Sequence, residues 1–173
     1  MNSNADKFFR FCPHCGRRYF GRQRPDVLVC GECKFQFYQN SKPTASAFFG
    51  DGKGRIMLVK RAINPKKGWW DAPGGFLENG EDPVRGLRRE MKEELGVSIT
   101  DVDFLGVYMD TYLHGYKAAT LNIIYQAHIG SGAIKPMDDI SGFRWFAPRA
   151  IPWRRLAFRW LTPALRDWVR LQK

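Results

Sequence analysis

The chain has 173 residues, 44% of them hydrophobic and 26% charged, which fits one ordinary globular domain with a small appendage and excludes disordered, collagenous and coiled-coil chains. No apolar run approaches the roughly 18 residues of a membrane span, and Met1-Asn2-Ser3-Asn4 does not read as an export signal, so a cytoplasmic protein without a membrane partner is expected. The net charge of +11 is concentrated at the ends: residues 1–43 carry +5, residues 44–146 zero and residues 147–173 +6. Such ends either attract phosphate-rich partners, RNA or an anionic nucleotide, or simply keep the surface solvated.

The first motif is Cys12-Pro-His-Cys15 with Cys30-Gly-Glu-Cys33. Two thiolates three positions apart on a tight turn can share one ion, and a second such pair completes a tetrahedron that suits zinc. Two disulfides are the alternative, but nothing in the chain points to an oxidising compartment. A structural zinc ribbon over residues 8–43 is therefore expected, with the four cysteines as its closed ligand shell and His14 as a turn residue. The spacer places Arg17, Arg18, Arg22 and Arg24 around Tyr19 and Phe20, a pattern that serves either a nucleic-acid strand or the small core of a ribbon. Phe35, Phe37 and Tyr38 read as a ribbon strand, and Asn40–Pro43 as a linker.

From Thr44 the pattern is α+β. Thr44–Phe49 and Ile56–Arg61 read as strands of a hairpin closed by Gly50-Asp-Gly-Lys-Gly54. Trp69–Pro73 reads as a short strand with one tryptophan in the core and one exposed, by alternation. Asp82 then fits a helix N-cap, Pro83 the first helical position and Gly96 the residue past the end. Val84, Leu87, Met91 and Leu95 form the apolar stripe of that helix.

Spacings of three and four put Glu90, Glu93 and Glu94 together on its other surface. Without a counter-ion such carboxylates repel and raise one another's pKa values. Oxygen ligands at this density suit Mg²⁺ or Mn²⁺, while the alternative is a solvated face neutralised by Arg85, Arg88, Arg89 and Lys92.

From Gly75 to Val97 the sequence runs glycine, five residues, Glu81, seven residues, then Arg-Glu-Met-x-Glu-Glu-x-Gly-Val. This resembles the Nudix box at every fixed position. Strands around Leu121–Ile129 and Phe143–Phe146 and a terminal helix follow the order of that family. The chain thus resembles a Nudix hydrolase behind a zinc ribbon, similar to the NADH/NAD⁺ diphosphatase subfamily. The implied fold is a mixed sheet between helices, α/β/α, over residues 44–173.

The resemblance implies cleavage of the pyrophosphate in a nucleoside diphosphate linked to another group, of ADP-ribose, NAD(H) or nucleotide-sugar type. It implies Glu90 and Glu94 as ligands of Mg²⁺ (or Mn²⁺), Glu93 as ligand or base, and the Gly74 carbonyl as a further ligand. Glu81 and Arg89 would pair behind them and fix the loop to the helix. Asp139 stands where relatives carry a glutamate, although Asp138-Asp139 also suits a plain turn after Pro136. Phe76 and Tyr38 match aromatics that hold the base, with core packing as the alternative for each.

One departure bears on substrate. Members that cleave NADH carry Ser-Gln-Pro-Trp-Pro-Phe-Pro-x-Ser after the box, whereas Gly106–Tyr116 here has none of those Ser, Gln, Pro or Trp residues. Nicotinamide specificity is therefore not implied. The partners expected are a nucleotide substrate, with RNA and a second copy of the chain as further candidates. Two other functions compete: a ligand sensor or nucleic-acid regulator without catalysis, and an enzyme removing a nucleotide cap (NAD type) from RNA 5′ ends.

Overall fold

The structure is a computed structural model that describes residues 9–18, 21–24, 26–114 and 116–172. These divide into two compact units, residues 1–42 with 111–119, and residues 43–110 with 120–173.

In the first unit, β1 (Gly21–Arg24), β2 (Val27–Val29) and β3 (Gln36–Tyr38) form an antiparallel sheet in the order β1-β2-β3. Its two cysteine turns have the same construction. Cys12 N–H donates to Arg17 O and Gly16 N–H to Cys12 O; Cys30 N–H donates to Phe35 O and Lys34 N–H to Cys30 O. Gly16 (φ 72°) and Lys34 (φ 61°) occupy the left-handed position that closes each turn. Phe35 stacks on His14, with ring centroids 5.6 Å apart, and Phe37 meets Phe9 at 4.9 Å. Tyr19 and Phe20, expected as ribbon or strand-gripping aromatics, lie outside the described residues.

The second unit holds two sheets. One has the order β10-β5-β6, from β5 (Ile56–Arg61), β6 (Trp70–Asp71) and β10 (Ile140–Phe146). The other has the order β7-β4-β9-β8, from β4 (Lys42–Phe49), β7 (Gly74–Phe76), β8 (Ser98–His114) and β9 (Tyr116–Ser131), of which Lys42 and residues 111–119 are counted with the first unit. The helices are α1 (Pro83–Leu95) and α2 (Leu161–Leu171). Side-chain alternation explains the layering. Ala45, Ala47 and Phe49 of β4 and Met57 and Val59 of β5 pack with Leu87, Met91 and Leu95 of α1. Phe48, Ile56 and Leu58 point the other way and pack with Leu161, Leu165 and Trp168 of α2. Strands covered on both faces read as continuous apolar runs, as these do.

Three expectations are corrected. Thr44–Phe49 and Ile56–Arg61 are not a hairpin: they meet only at a Gly50–Ile56 bridge and then enter different sheets, since each must bury both faces. Asn40–Pro43 is not all linker, because β4 begins at Lys42. Trp69 and Trp70 do not divide into core and surface. Both are half-buried against the α2-side core, Trp70 edge-on to Phe146 at 4.9 Å and Trp69 beneath Lys66.

Candidate active site

Helix α1 is fixed at both ends. Asp82 Oδ1 accepts from Val84 N–H and Arg85 N–H, each at 3.0 Å, satisfying donors of the first turn. Gly96, at φ 69°, donates to Lys92 O, and Val97 N–H donates to Met91 O. The stripe seats the helix, and its rotation sets the three glutamates at different depths. Glu94 is buried, Glu90 is nearly so, and the Glu93 side chain is 51% exposed.

Two glycines bring the strand before the helix against these carboxylates. Gly74 N–H donates to Glu94 Oε2 at 2.7 Å. A Cβ on Gly74 (φ 133°) would meet Ala45 O and stand 2.6 Å from Ser46 Cα, so strand β4 leaves no room for one. At Gly75 the would-be Cβ stands 2.5 Å from Glu90 Oε1, so the Glu90 carboxyl occupies the space of a side chain.

Arg89 ties the loop to the helix. Its Nε and Nη2 donate to the two oxygens of Glu81 at 3.0 and 2.9 Å, and Nη2 also reaches Phe76 O at 3.2 Å. Its Nη1 donates to Glu90 Oε1 at 2.7 Å and to Glu93 Oε2 at 3.0 Å. Glu81 in turn accepts from Glu78 N–H and lies over Gly86, where a Cβ would stand 2.8 Å from its Oε2. These hydrogen bonds, from Arg89 above all, hold the Glu81 carboxyl down at about 2.

The segment after β9 carries Asp139 to the same place. Lys135 N–H and Met137 N–H donate to Leu95 O and Glu94 O at the end of α1, and Asp139 O accepts from Ala62 N–H. Asp138 makes the turn, at φ 52°. The Asp139 carboxylate thereby raises the pKa of both Glu94 and Glu90. Burial is the larger cause in each, and Glu94 is pushed up to about 10.

One group here carried no sequence signal. Asp71 of β6 is buried, accepts from Arg61 Nη1 at 3.0 Å and from Ala72 N–H, and feels the charge of Asp139. Burial raises its pKa to about 6.

A divalent cation fits this donor set. It consists of oxygens, and the Asp139 and Glu90 carboxylates press on the buried Glu94. The carboxylates are not gathered on one point: Glu90 and Glu93 turn to Arg89, and Glu94 turns to Gly74. Phe76 is 43% exposed and Tyr38 50% exposed, so neither packs in a core, and Tyr38 donates its hydroxyl to Gln36.

The cysteines are gathered. The four sulfurs lie within 4.8 Å of one another, with Cys12–Cys33 and Cys15–Cys30 at 3.7 Å. That is too long for a disulfide and close to the edge, about 3.8 Å, of a tetrahedron with 2.3 Å zinc–sulfur bonds. Within this group the thiols shift in opposite directions: hydrogen bonds, that of the Cys33 backbone first, lower Cys30 to about 7, while burial and the neighbouring thiols push Cys33 up to about 12.

Two sheets between two helices, with a glutamate-bearing helix behind a Gly-Gly strand, define a Nudix fold. The NUDIX domain model matches residues 40–169, and the chain belongs to the Nudix family. It is 28% identical over 144 residues to the NAD-capped RNA hydrolase NudC of Pseudomonas aeruginosa (strain LESB58), covering 83% of this chain and 49% of that protein. The chain therefore spans about half the length of the NudC relatives it matches. It is 35% identical over 116 residues to the ADP-ribose pyrophosphatase of Methanocaldococcus jannaschii, covering 67% of this chain and 66% of that one. A solved NUDIX hydrolase from Nitrosomonas europaea aligns with a TM-score of 0.74 at 27% identity, covering 93% of this chain and 90% of its own.

Proposed function

We propose that the chain hydrolyses the pyrophosphate of a nucleoside diphosphate joined to a second group, ADP-ribose-like molecules first among them. The observation that carries this reading is the buried Glu94, clamped by Gly74 and crowded by Glu90 and Asp139. A fold does not keep such repulsion for stability's sake, and a bound cation relieves it.

Glu90 and Glu94 would hold Mg²⁺ or Mn²⁺ together with the Gly74 carbonyl and Asp139, with Glu93 as ligand or base. Bound there, the cation would neutralise the phosphates and polarise the attacking water. Arg89 spans Glu81, Glu90 and Glu93, and so orients the two helix carboxylates while pinning the loop. Phe76 and Tyr38 each present an exposed ring suited to stacking on a base. In this reading the ribbon (8–43) is a folding element around structural Zn²⁺, and residues 44–173 carry the chemistry. Product release from a panel of nucleotides with Mg²⁺ tests the reading; tight binding of a nucleotide without turnover would instead make the chain a sensor.

A second reading makes the nucleotide the 5′ end of an RNA. The +5 and +6 charge of the two ends favours it, as does the NAD-capped RNA named for the Pseudomonas relative. Among the described residues, no helix is long and apolar enough to cross a membrane.

A further inference from the structure

The basic C-terminal segment is folded against the loop that follows β5. Trp70 bridges Leu156, and Ala157 N–H donates to Trp70 O at 2.8 Å, which lays Trp153–Arg155 beside Lys66–Trp69. Lys66 Nζ stands 4.2 Å from the Trp69 ring centroid, and the Arg155 guanidinium lies 5.4 Å from the same ring. Arg166 of α2 reaches over the Trp153 ring at 6.0 Å, and that ring is 40% exposed. Cations and indoles thus alternate along one strip. At its other end the same loop meets the carboxylate cluster, where Ala62 N–H donates to Asp139 O.

Lys66, Arg154, Arg155 and Arg166 are exposed, and among the described residues none has a carboxylate within ion-pair distance. Residues 147–173 hold seven basic groups against Asp167, and Asp167 is taken by Arg170 at 3.1 Å. Lys66, Arg155 and Arg166 are held in place by aromatic faces rather than by counter-charges, which leaves their charge for an outside anion.

We propose that this strip, Lys66–Trp69–Arg155–Trp153–Arg166, binds a single RNA strand leading away from the nucleotide at the carboxylate cluster. The choice of RNA rests on the second reading above. Guanidinium and ammonium groups at intervals would meet successive phosphates, and the open Trp153 face offers a platform for a base. A duplex presents no free base face to that ring, so single strands are preferred.

The test is fluorescence anisotropy of a labelled single-stranded RNA with the full chain at several salt concentrations, beside turnover of a small nucleotide. The expected result is binding that weakens linearly in log salt. In the double variant R155E/R166E the affinity should fall about tenfold or more and the salt slope by about 1 to 2, with small-nucleotide turnover unchanged. Trp153→Ala should weaken single-stranded RNA more than duplex of equal length. Melting curves identify variants that misfold, and Arg166→Gln, on the outer face of α2, keeps the question answerable if the double variant does. RNA binding unaffected by R155E/R166E and Arg166→Gln would overturn the proposal, as would vesicles of anionic lipid binding where RNA does not. No RNA binding beside normal nucleotide turnover would sink the strip and leave the hydrolase standing. RNA binding lost in the variants, without turnover of any nucleotide, would do the reverse.

Discussion

The carboxyl of Glu90 fills the space that a side chain at Gly75 would need, with Oε1 2.5 Å from the position of its Cβ. The neighbouring glycine is constrained by backbone instead: at Gly74 the obstacles are Ala45 O and Ser46 Cα.

The two positions should therefore fail differently. Gly75→Ala meets only the far end of a flexible side chain, so the protein should melt close to wild type. Glu90 must swing away, and kcat/KM should fall roughly 10- to 100-fold. Gly74→Ala forces a left-handed φ and a clash with β4, costing about 2–3 kcal/mol or more. Melting curves beside steady-state kinetics separate the two cases.

Acid should loosen the Arg89 fork. The Glu81 carboxyl is held at about 2 against an ordinary value of 4.5. A depressed pKa means that the folded protein binds fewer protons than the unfolded chain, so the contribution is complete above about pH 4.5 and is lost as pH falls toward 2. Glu81→Gln should melt below wild type at pH 6, with the difference shrinking steadily as the pH is lowered to 2. A constant difference across that range would show that the fork is not the source.

The helix was legible because its signals are local: Asp82, Pro83, the apolar stripe and Gly96 each act within a turn or two. The depths of the glutamates were not. Neighbours on a helix differ by about 100° in direction, so Glu93 reaches water while Glu94 points at Gly74, against the expectation that Glu90 and Glu94 both lie clear of the packed face. The split of β4 and β5 into two sheets was hidden for a related reason. A turn sequence reports that the chain reverses, not that the strands pair, and burial on both faces decides the rest. The Asp71–Arg61 pair has no sequence signature, because it depends on the β5–β6 register, which two strand residues cannot specify in sequence.

The ribbon should carry one zinc ion that the reaction does not need. Elemental analysis should find one zinc per chain and thiol titration four thiolates released on its removal, since the 3.7 Å sulfur pairs are unbridged. Chelation should lower the stability of the ribbon before it touches turnover. Zinc-free protein with two disulfides would contradict this.

In the proposed function, pyrophosphate cleavage depends on a cation held by Glu90 and Glu94. Glutamine at 94 can still accept from Gly74 N–H while removing a buried carboxylate that Asp139 and Glu90 repel, so metal-free E94Q should melt at or above wild type. The decisive measurement is kcat with Mg²⁺ on the best nucleotide substrate for E90Q and E94Q. Loss of a ligand should lower it about 100-fold or more in each; both variants staying within about threefold of wild type, with the fold intact, would contradict the account.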